Sequence, residues 1–304
     1  MKNTYKAHVA LLSANLIYGA NYLIAKGVMP NKIGPSAFVF LRILGAGILF
    51  WIIKQFIKEK VDKKDFKLLA LCGLLGVTAN QLLFFNGLNL TSPIDASIII
   101  TAIPIVVLVV SVFMLKEKLT QFKITGIVLG SLGAILLITY GNNTQSTSSV
   151  LGNLFVFINA VSYSFYLVLV KPLMKKYNPL TVITYVFSFG FVFMFPFGIK
   201  QMLETDFSTY TTNTYLVILY VIIGTTFLAY LFNIFALKHV RPSVSGSYIY
   251  VQPAVTFIIV SLYTYFLNDT TYSQDISGIK ILSCLLVFSG VYLISRNKKE
   301  TTKS

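Results

Sequence analysis

The chain alternates between long apolar runs and short polar segments from one end to the other. A helix needs about 20 apolar residues to cross the hydrocarbon core of a bilayer. Ten runs approach or exceed that length, and charged residues are scarce inside them. The pattern therefore predicts an all-α membrane protein with ten transmembrane helices, at residues 7–26, 35–56, 67–88, 95–115, 122–140, 150–171, 179–200, 214–237, 243–266 and 276–295.

Turn-forming residues mark the ends of these runs. Pro35, Pro179 and Pro242 stand at predicted helix starts, where the missing backbone N–H costs little. Residues 142–149 form a polar, uncharged segment that is typical of a loop. This loop divides the chain into two predicted repeats, residues 1–142 and 150–304, with five spans in each.

The composition agrees with a membrane protein. The chain is 56% hydrophobic and 12% charged, whereas a soluble domain carries about 25% charged residues. The net charge of +15 does not indicate a nucleic-acid partner, because the basic residues lie singly between apolar runs and form no common face. Cys72 and Cys284 lie inside apolar runs and are interpreted as packing residues. We predict no metal site and no cofactor.

The basic residues instead indicate the topology. With the N-terminus inside, 20 of the 25 Lys and Arg residues fall on the cytoplasmic side, as the positive-inside rule requires. The outer side receives Lys26, Lys32, Lys200 and Lys280. We therefore predict an integral protein of a bacterial inner (plasma) membrane with both termini in the cytoplasm.

The two halves share an internal pattern. An offset of 149 residues superimposes two proline pairs, and an offset of 145 superimposes residues of the first span in each half: Pro93 with Pro242, Pro104 with Pro253, Tyr18 with Tyr163 and Lys26 with Lys171. Each half has an odd number of spans, so the second repeat enters the membrane from the opposite side. Inverted repeats of this kind are typical of alternating-access transporters.

Several segments together resemble a known family. They are ANLIYGANYLIAK in the first span, NGLNLTSPIDASIIITAIPIVVLVVSVFMLKEKLTQFKITGIVLGSLGAILL across spans three to five, and KILSCLLVFSGVYLISR at the end. Their order is similar to that of the drug/metabolite transporter superfamily, in its EamA-type ten-helix branch. The resemblance implies export of amino acids or related metabolites. One departure is an insertion between Phe266 and Ile279, where Asp269 cannot be aligned with Glu117 of the first repeat.

Two prolines lie in the middle of predicted spans. Pro104 and Pro253 each free the backbone carbonyl four residues earlier, at Ile100 and Ile249. In lipid, a freed carbonyl needs a partner from protein, water or ligand. We predict that the two prolines are hinges beside a central cavity. The alternative is a pair of fixed kinks that serve packing alone.

Uncharged polar residues gather in spans 1, 3, 6, 8 and 9. An amide buried in hydrocarbon without a partner costs several kcal/mol, so some of these side chains should face a wet cavity. The alternative is a set of interhelical hydrogen bonds, each contributing about 0.6 kcal/mol. The predicted solute-binding residues are Tyr18, Asn21, Asn80, Gln81, Tyr163, Tyr166, Tyr230, Tyr248, Tyr250 and Gln252.

Arg42 is the one basic residue left deep inside a predicted span. A charge at such depth usually faces the protein interior and has a partner. Asp95, at the same outer side, is the predicted partner. The pair is interpreted as an outer gate or a contact for an anionic solute group, with a structural pair or a snorkelling arginine as the alternative. Lys26 and Lys171 are interpreted as snorkelling anchors.

The motifs that are absent narrow the function. The sequence contains no HExxH or GxSxG motif, and no catalytic residue is predicted. No Asp or Glu occupies the middle of a predicted span, which disfavours proton coupling through a carboxylate. We predict a secondary, non-ATP transporter of a neutral, zwitterionic or monoanionic solute, with the lipid bilayer as its other partner. A non-transporting receptor or scaffold is the alternative, and a homodimer is left open.

Overall fold

The computed structural model describes residues 2–116, 119–140, 148–237, 239–240, 248–268, 271–272, 275 and 277–295. This part of the chain forms ten helical segments and no strand. They are α1 (Lys2–Val28), α2 (Pro35–Lys54), α3 (Lys63–Leu90), α4 (Pro93–Met114), α5 (Gln121–Tyr140), α6 (Val150–Lys176), α7 (Pro179–Leu203), α8 (Thr212–Ala236), α9 (Tyr248–Leu267) and α10 (Gly278–Ser295).

The all-helical membrane architecture is thereby confirmed for the described part. Nine of the segments are long and apolar enough to cross a membrane, and α10 is a shorter apolar helix. Several bounds differ from the prediction, since α3 and α6 extend beyond the apolar runs into polar sequence. Pro242, Glu117, Asp269 and the predicted helix start at 243–247 lie outside the described residues.

Side-chain caps determine where several helices begin. The side chains of Ser92, Ser149, Asn178 and Thr211 accept a backbone N–H from the first turns of α4, α6, α7 and α8. Such caps satisfy donors that the first helical turn leaves without a partner. Because Ser92 is the cap of α4, this helix begins at Pro93 and not at the predicted residue 95.

The main helix contacts join one half of the chain to the other. Helix α1 packs on α8 and α9, and its counterpart α6 packs on α3 and α4. Helix α2 packs on its counterpart α7, and α5 packs on its counterpart α10. Two inverted five-helix repeats explain this pairing. Contacts between non-equivalent helices occur twice, and contacts between equivalent helices cross the pseudo-symmetry axis.

The regular helical geometry is interrupted at matching places in the two halves. Helix α4 stops at Ile100 and resumes at Ile103, and the described part of α9 opens with the 3-10 turn Tyr248–Tyr250. Both irregularities come directly before the predicted hinge prolines. Helices α3 and α8 contain π-helical segments, Leu74–Ala79 and Val221–Leu228. The last residues of these segments, Ala79 and Leu228, coincide at the 149-residue offset. Such segments often occur at functional sites.

Glycines allow α5 and α10 to approach closely. A Cβ atom added at Gly290 would lie 2.5 Å from the carbonyl oxygen of Gly126 and 2.7 Å from the backbone nitrogen of Gly130. Backbone atoms cannot move aside as a flexible side chain does. The two helices are therefore in near backbone contact, and a larger residue here must separate them.

Replacing Gly290 by alanine is expected to destabilise the protein. Overpacking of this kind costs about 1–3 kcal/mol, which outweighs the gain of up to about 1 kcal/mol from alanine in a helix. Gly27 in α1 is the matched control, because a Cβ there meets nothing within 4 Å. Thermal unfolding in detergent should give a lower midpoint for Gly290→Ala and no loss for Gly27→Ala. Equal midpoints would contradict the close approach of α5 and α10.

Candidate functional site

Four tyrosines from three helices meet in the centre of the bundle. Tyr18 comes from α1, Tyr163 and Tyr166 from α6, and Tyr230 from α8; these four residues are called the tyrosine cluster below. Their hydroxyls are close enough to interact electrostatically with one another. The Tyr163 and Tyr166 rings are 5.5 Å apart. The inverted packing thus brings the repeat mates Tyr18 and Tyr163 to one place.

Three members of the tyrosine cluster are only partly buried. Tyr18, Tyr163 and Tyr230 each keep part of their surface accessible, whereas Tyr166 is 5% exposed. A partly accessible side chain can contact a solute that enters between the helices. Hydroxyls on aromatic rings suit a solute that has both polar and apolar parts. Four of the predicted solute-binding residues are therefore brought together.

Arg42 lies beside the tyrosine cluster with 7% of its surface exposed. Its Nε donates to the hydroxyl of Thr226 in the π-helical segment of α8, at 2.5 Å. Its guanidinium carbon lies 4.8 Å from the centre of the Phe85 ring of α3. It also interacts electrostatically with Tyr18 and Tyr230. The charge is thus held by both repeats at the interface between them.

Buried amides lie on the same helices. Gln81 is 3% exposed, and neither of its amide atoms has a hydrogen-bond partner among the described residues. It precedes Phe85 by four residues, so the two side chains share one face of α3. The side-chain oxygens of Asn21 and Asn159 are likewise buried with no partner in the described ranges. The amide nitrogen of Asn159 donates to the carbonyl of Asn80, which joins α6 to α3.

Three other predicted solute-binding residues, Gln252, Tyr248 and Tyr250, make contacts that join helices outside the tyrosine cluster. Gln252 accepts from the Tyr22 hydroxyl at 2.9 Å and donates to Asn15 at 2.8 Å, which ties α9 to α1. The hydroxyl of Tyr248 lies 2.8 Å from Nδ1 of His8. The Tyr250 ring packs 4.9 Å from Phe288 of α10. Their geometry corresponds to the alternative interpretation, in which the polar side chains join helices.

The expected ion pair between Arg42 and Asp95 is wrong within the described residues. Asp95 pairs with Lys280 of α10 at 2.7 Å, and the two side chains are 0% and 1% exposed. Lys280 also lies 3.4 Å from Asp275. The pairing was missed because Lys280 stands near the end of an apolar run and was assigned to the outer surface. A lysine within a predicted span was the signal that could have revealed it.

Asp95 has further partners from both halves. It accepts from Asn153 of α6 at 3.1 Å and from the Ser92 hydroxyl at 3.1 Å. Asn153 in turn accepts from Thr91. This set of Asp95, Lys280, Asp275 and Asn153 is called the buried ion cluster below. It joins the start of α4 in the first repeat to α6 and α10 in the second.

Lys26 is also misassigned as a snorkelling anchor. Its ammonium donates to the carbonyls of Leu88, Asn89 and Thr91, each at 2.8 Å. These carbonyls stand at the C-terminal end of α3, where a helix leaves acceptors without partners. A cation there is also favoured by the helix dipole. Lys26 therefore ties α1 to the end of α3 close to the buried ion cluster.

The opposite end of the bundle has an exposed ion pair. Lys176 of α6 lies 2.5 Å from Asp62 and 2.5 Å from Asp65, and the side chains of Lys176 and Asp62 are 39% and 54% exposed. Hydrogen bonding by Lys176 lowers the pKa of Asp62 below its usual value. The ion pair at this end meets water, whereas the buried ion cluster does not. The ion pairs at the two ends therefore differ in their exposure to water.

No metal-binding constellation is found in the described residues, where no group of three His, Cys, Asp or Glu side chains is placed to hold an ion. The residues of the site are aromatic, amide and guanidinium groups. They can bind a small organic solute by stacking, hydrogen bonding and charge. Sequence reasoning missed Thr226 and Phe85, the two residues that hold Arg42; nothing in their local sequence distinguished them from packing residues.

The helices and the enclosed polar site define an integral membrane protein of the transporter class. The chain belongs to the EamA-like transporter family, whose model matches it twice, at residues 5–139 and 150–296. The two matches correspond to α1–α5 and α6–α10. The family therefore covers nearly the whole chain.

Similar proteins include two transporters and a WAT1-related protein. The uncharacterized transporter YyaM of Bacillus subtilis is 27% identical over 96% of this chain and 97% of its own length. The uncharacterized transporter YetK of Bacillus subtilis is 24% identical over 99% and 90%. The WAT1-related protein At4g30420 of Arabidopsis thaliana is 26% identical over 89% and 81%. A crystal structure of 17% identity matches 96% of this chain and 99% of its own with a TM-score of 0.63, which supports the fold.

Proposed function

We propose that this protein is a secondary transporter that moves a small solute across the membrane by alternating access. The observation that carries the proposal is the tyrosine cluster, in which the repeat mates Tyr18 and Tyr163 meet and are both only partly buried. Transporters of this architecture bind solute near the midplane, where the repeats meet and helices are discontinuous. The break in α4 and the 3-10 turn Tyr248–Tyr250 of α9 stand at matching positions.

The two ends of the bundle support a state that is closed at one side. In alternating access, the repeats separate at one end while they close at the other. The buried ion cluster seals its end, because Asp95 of one repeat and Lys280 of the other are excluded from water. At the opposite end, the charged contact between the repeats is the exposed pair of Lys176 and Asp62, and exposed pairs contribute little to stability. Asp95 then acts in the predicted outer gate with Lys280 in place of Arg42.

The distribution of basic residues supports one orientation. The positive-inside pattern favours a cytoplasmic position for both termini, and in that orientation the buried ion cluster seals the outer side of the membrane. Export of amino acids or related metabolites is the direction that the family resemblance implies. A location in a bacterial inner membrane and transport without ATP hydrolysis fit this direction.

A flux assay in proteoliposomes tests the proposal. Vesicles loaded with a labelled amino acid or related metabolite should exchange it for external unlabelled solute, with saturation at high concentration. Empty vesicles and vesicles with Tyr18→Ala, which removes a ring from the tyrosine cluster, are the controls. If a broad panel shows no saturable exchange, the receptor or scaffold alternative replaces the transporter.

Solute should also protect the tyrosine cluster from chemical labelling. In a background of Cys72→Ala and Cys284→Ala, single cysteines are placed at Tyr18 and Tyr230. A transported solute at saturating concentration is expected to slow maleimide labelling at both positions several-fold, because it covers both of them. A cysteine at Tyr140, which is 66% exposed, is the control and should not respond. Unchanged labelling at positions 18 and 230 would remove these residues from the binding site.

A further inference from the structure

We propose that Arg42 is a carboxylate-binding residue and that the solute carries one carboxylate on an apolar, preferably aromatic body. The inference rests on the proposed transport function and specifies its solute class. It follows from one unusual feature of the site: a guanidinium that is 7% exposed and has no acidic partner among the described residues.

Arg42 has no counter-ion in the described ranges because the acidic side chains there have other partners. Every acidic side chain in the described ranges is engaged at another place. Each of them has an ion pair or a hydrogen bond elsewhere: Asp62 and Asp65 with Lys176, Glu59 with the Asn178 backbone, Asp95 and Asp275 with Lys280, Glu204 with Lys200, and Asp206 with Ser208.

A buried charge without an opposite charge is costly. Within a membrane protein, such a group usually faces a cavity or pairs with another group. The Thr226 hydroxyl and the Phe85 ring supply one hydrogen bond and one cation–π contact. A guanidinium has five N–H donors, and Nε is the one that is used. In the described part of the chain, no hydrogen bond engages the two terminal nitrogens, which can form the bidentate fork that matches a carboxylate.

The surroundings of Arg42 define the rest of the solute. Tyr18 and Tyr230 of the tyrosine cluster lie within electrostatic range of the guanidinium. Their rings can stack on an aromatic part of the solute. On the same face of α3 as Phe85, Gln81 presents a buried amide with no partner for its oxygen or its nitrogen. An unsatisfied buried amide costs about 1–3 kcal/mol, which a polar group of a bound solute would relieve. The amide can therefore bind a donor such as an α-amino group as well as an acceptor.

A single cation limits the charge of the solute. Arg42 can neutralise one carboxylate, and no second basic residue joins it in the described part of the site. A phosphate or dicarboxylate would retain uncompensated charge in a dry environment, where that charge is strongly disfavoured. The site therefore favours a monocarboxylate, including a zwitterionic amino acid, over multiply charged solutes.

Binding of matched compounds to the whole protein tests the inference. The probes are 3-phenylpropanoate, hexanoate and phenylalanine, each compared with its neutral amide. Isothermal titration and the shift of the unfolding midpoint in detergent should both report binding of carboxylates and much weaker binding of the amides. The variant Arg42→Gln is expected to weaken carboxylate binding roughly 10- to 100-fold. Lys200→Gln, which removes an exposed lysine of α7, should bind carboxylates as the unchanged protein does.

A second variant separates binding from folding. Arg42→Lys keeps the charge but lacks the planar fork, so it should fold and bind carboxylates several-fold more weakly than the unchanged protein. Equal binding of acids and amides by the unchanged protein overturns the inference, and so does full carboxylate binding by Arg42→Gln. Saturable flux of neutral solutes that is unaffected by Arg42→Gln would also overturn it, while leaving the transport proposal intact.

Discussion

Replacing Lys280 by methionine is expected to lower the free energy of unfolding by about 3–5 kcal/mol. Removal of one partner from a buried ion pair leaves the remaining charge without compensation, which has this cost in other proteins. Here two carboxylates lose their shared cation, because Lys280 lies 2.7 Å from Asp95 and 3.4 Å from Asp275. Lys26 is held by three backbone carbonyls and remains within electrostatic range of Asp275, so Asp95 is the carboxylate that loses most.

The geometry also predicts an order among the variants. Asp95→Asn should cost less than Lys280→Met, because Lys280 then keeps Asp275 as its partner and the new amide can still accept from Asn153. Lys200→Met is the matched control, since the Lys200 side chain is 85% exposed and exposed pairs contribute about 0–1 kcal/mol. Chemical unfolding in detergent, followed by circular dichroism, measures all three. A Lys280→Met protein as stable as Lys200→Met would contradict the buried pair.

The same variants test the seal at this end of the bundle. A cysteine at Ser97, which is 0% exposed and lies two residues beyond Asp95, reports on access in a background without Cys72 and Cys284. If the buried ion cluster holds the repeats together, this cysteine should be labelled faster in Asp95→Asn than in the parent. Protection that persists in a folded Asp95→Asn protein would indicate a permanent joint instead of a gate.

The sequence predicted what depends on local pattern. Hydropathy revealed the helices, and the positions of Pro35, Pro179 and Pro104 revealed where helices begin or break. It also indicated the tyrosine cluster, because Tyr18 and Tyr163 are repeat mates and inverted packing brings repeat mates together. These features require no knowledge of which helices touch.

The pairing of charges could not be predicted in this way. Asp95 and Lys280 are far apart in sequence and meet because α4 contacts α10. Membrane depth alone favoured Arg42 as the partner of Asp95, yet the π-helical segment of α8 places Thr226 against Arg42. Neither the π-helical segments nor the face that each helix presents has a signal in the residue pattern. The site therefore differs from the prediction where tertiary contacts select among several polar groups.

Replacing both Pro104 and Pro253 by alanine is expected to slow flux roughly tenfold or more while the fold is retained. Alanine restores an N–H that can bind the carbonyl four residues earlier, at Ile100 in α4 and Ile249 in α9. Each backbone hydrogen bond contributes about 0.5–1.5 kcal/mol. If the broken segments bend during each cycle, two such bonds must be disrupted, and 1.4 kcal/mol corresponds to about a tenfold slower step.

The break in α4 gives this expectation a structural basis. Helix α4 stops at Ile100 and restarts at Ile103, with Pro104 in its first turn, where no N–H is needed. In α9, the 3-10 turn Tyr248–Tyr250 stands in the equivalent place before Pro253. Alanine would favour one continuous helix in both positions. Stiffer helices on both sides of the tyrosine cluster should slow the exchange between states and leave solute binding largely unchanged.

Pro196 is the matched control for the double variant. It is a proline inside α7 and lies exposed on the outside of the bundle, away from the tyrosine cluster. Pro196→Ala should leave the flux close to that of the unchanged protein, since α7 is continuous through this position. Counterflow in proteoliposomes measures the flux, and a parallel binding measurement shows whether solute affinity is unchanged. Normal flux in Pro104→Ala/Pro253→Ala would show that the breaks are fixed packing features, because hinges that have been stiffened on both sides of the site must slow the cycle.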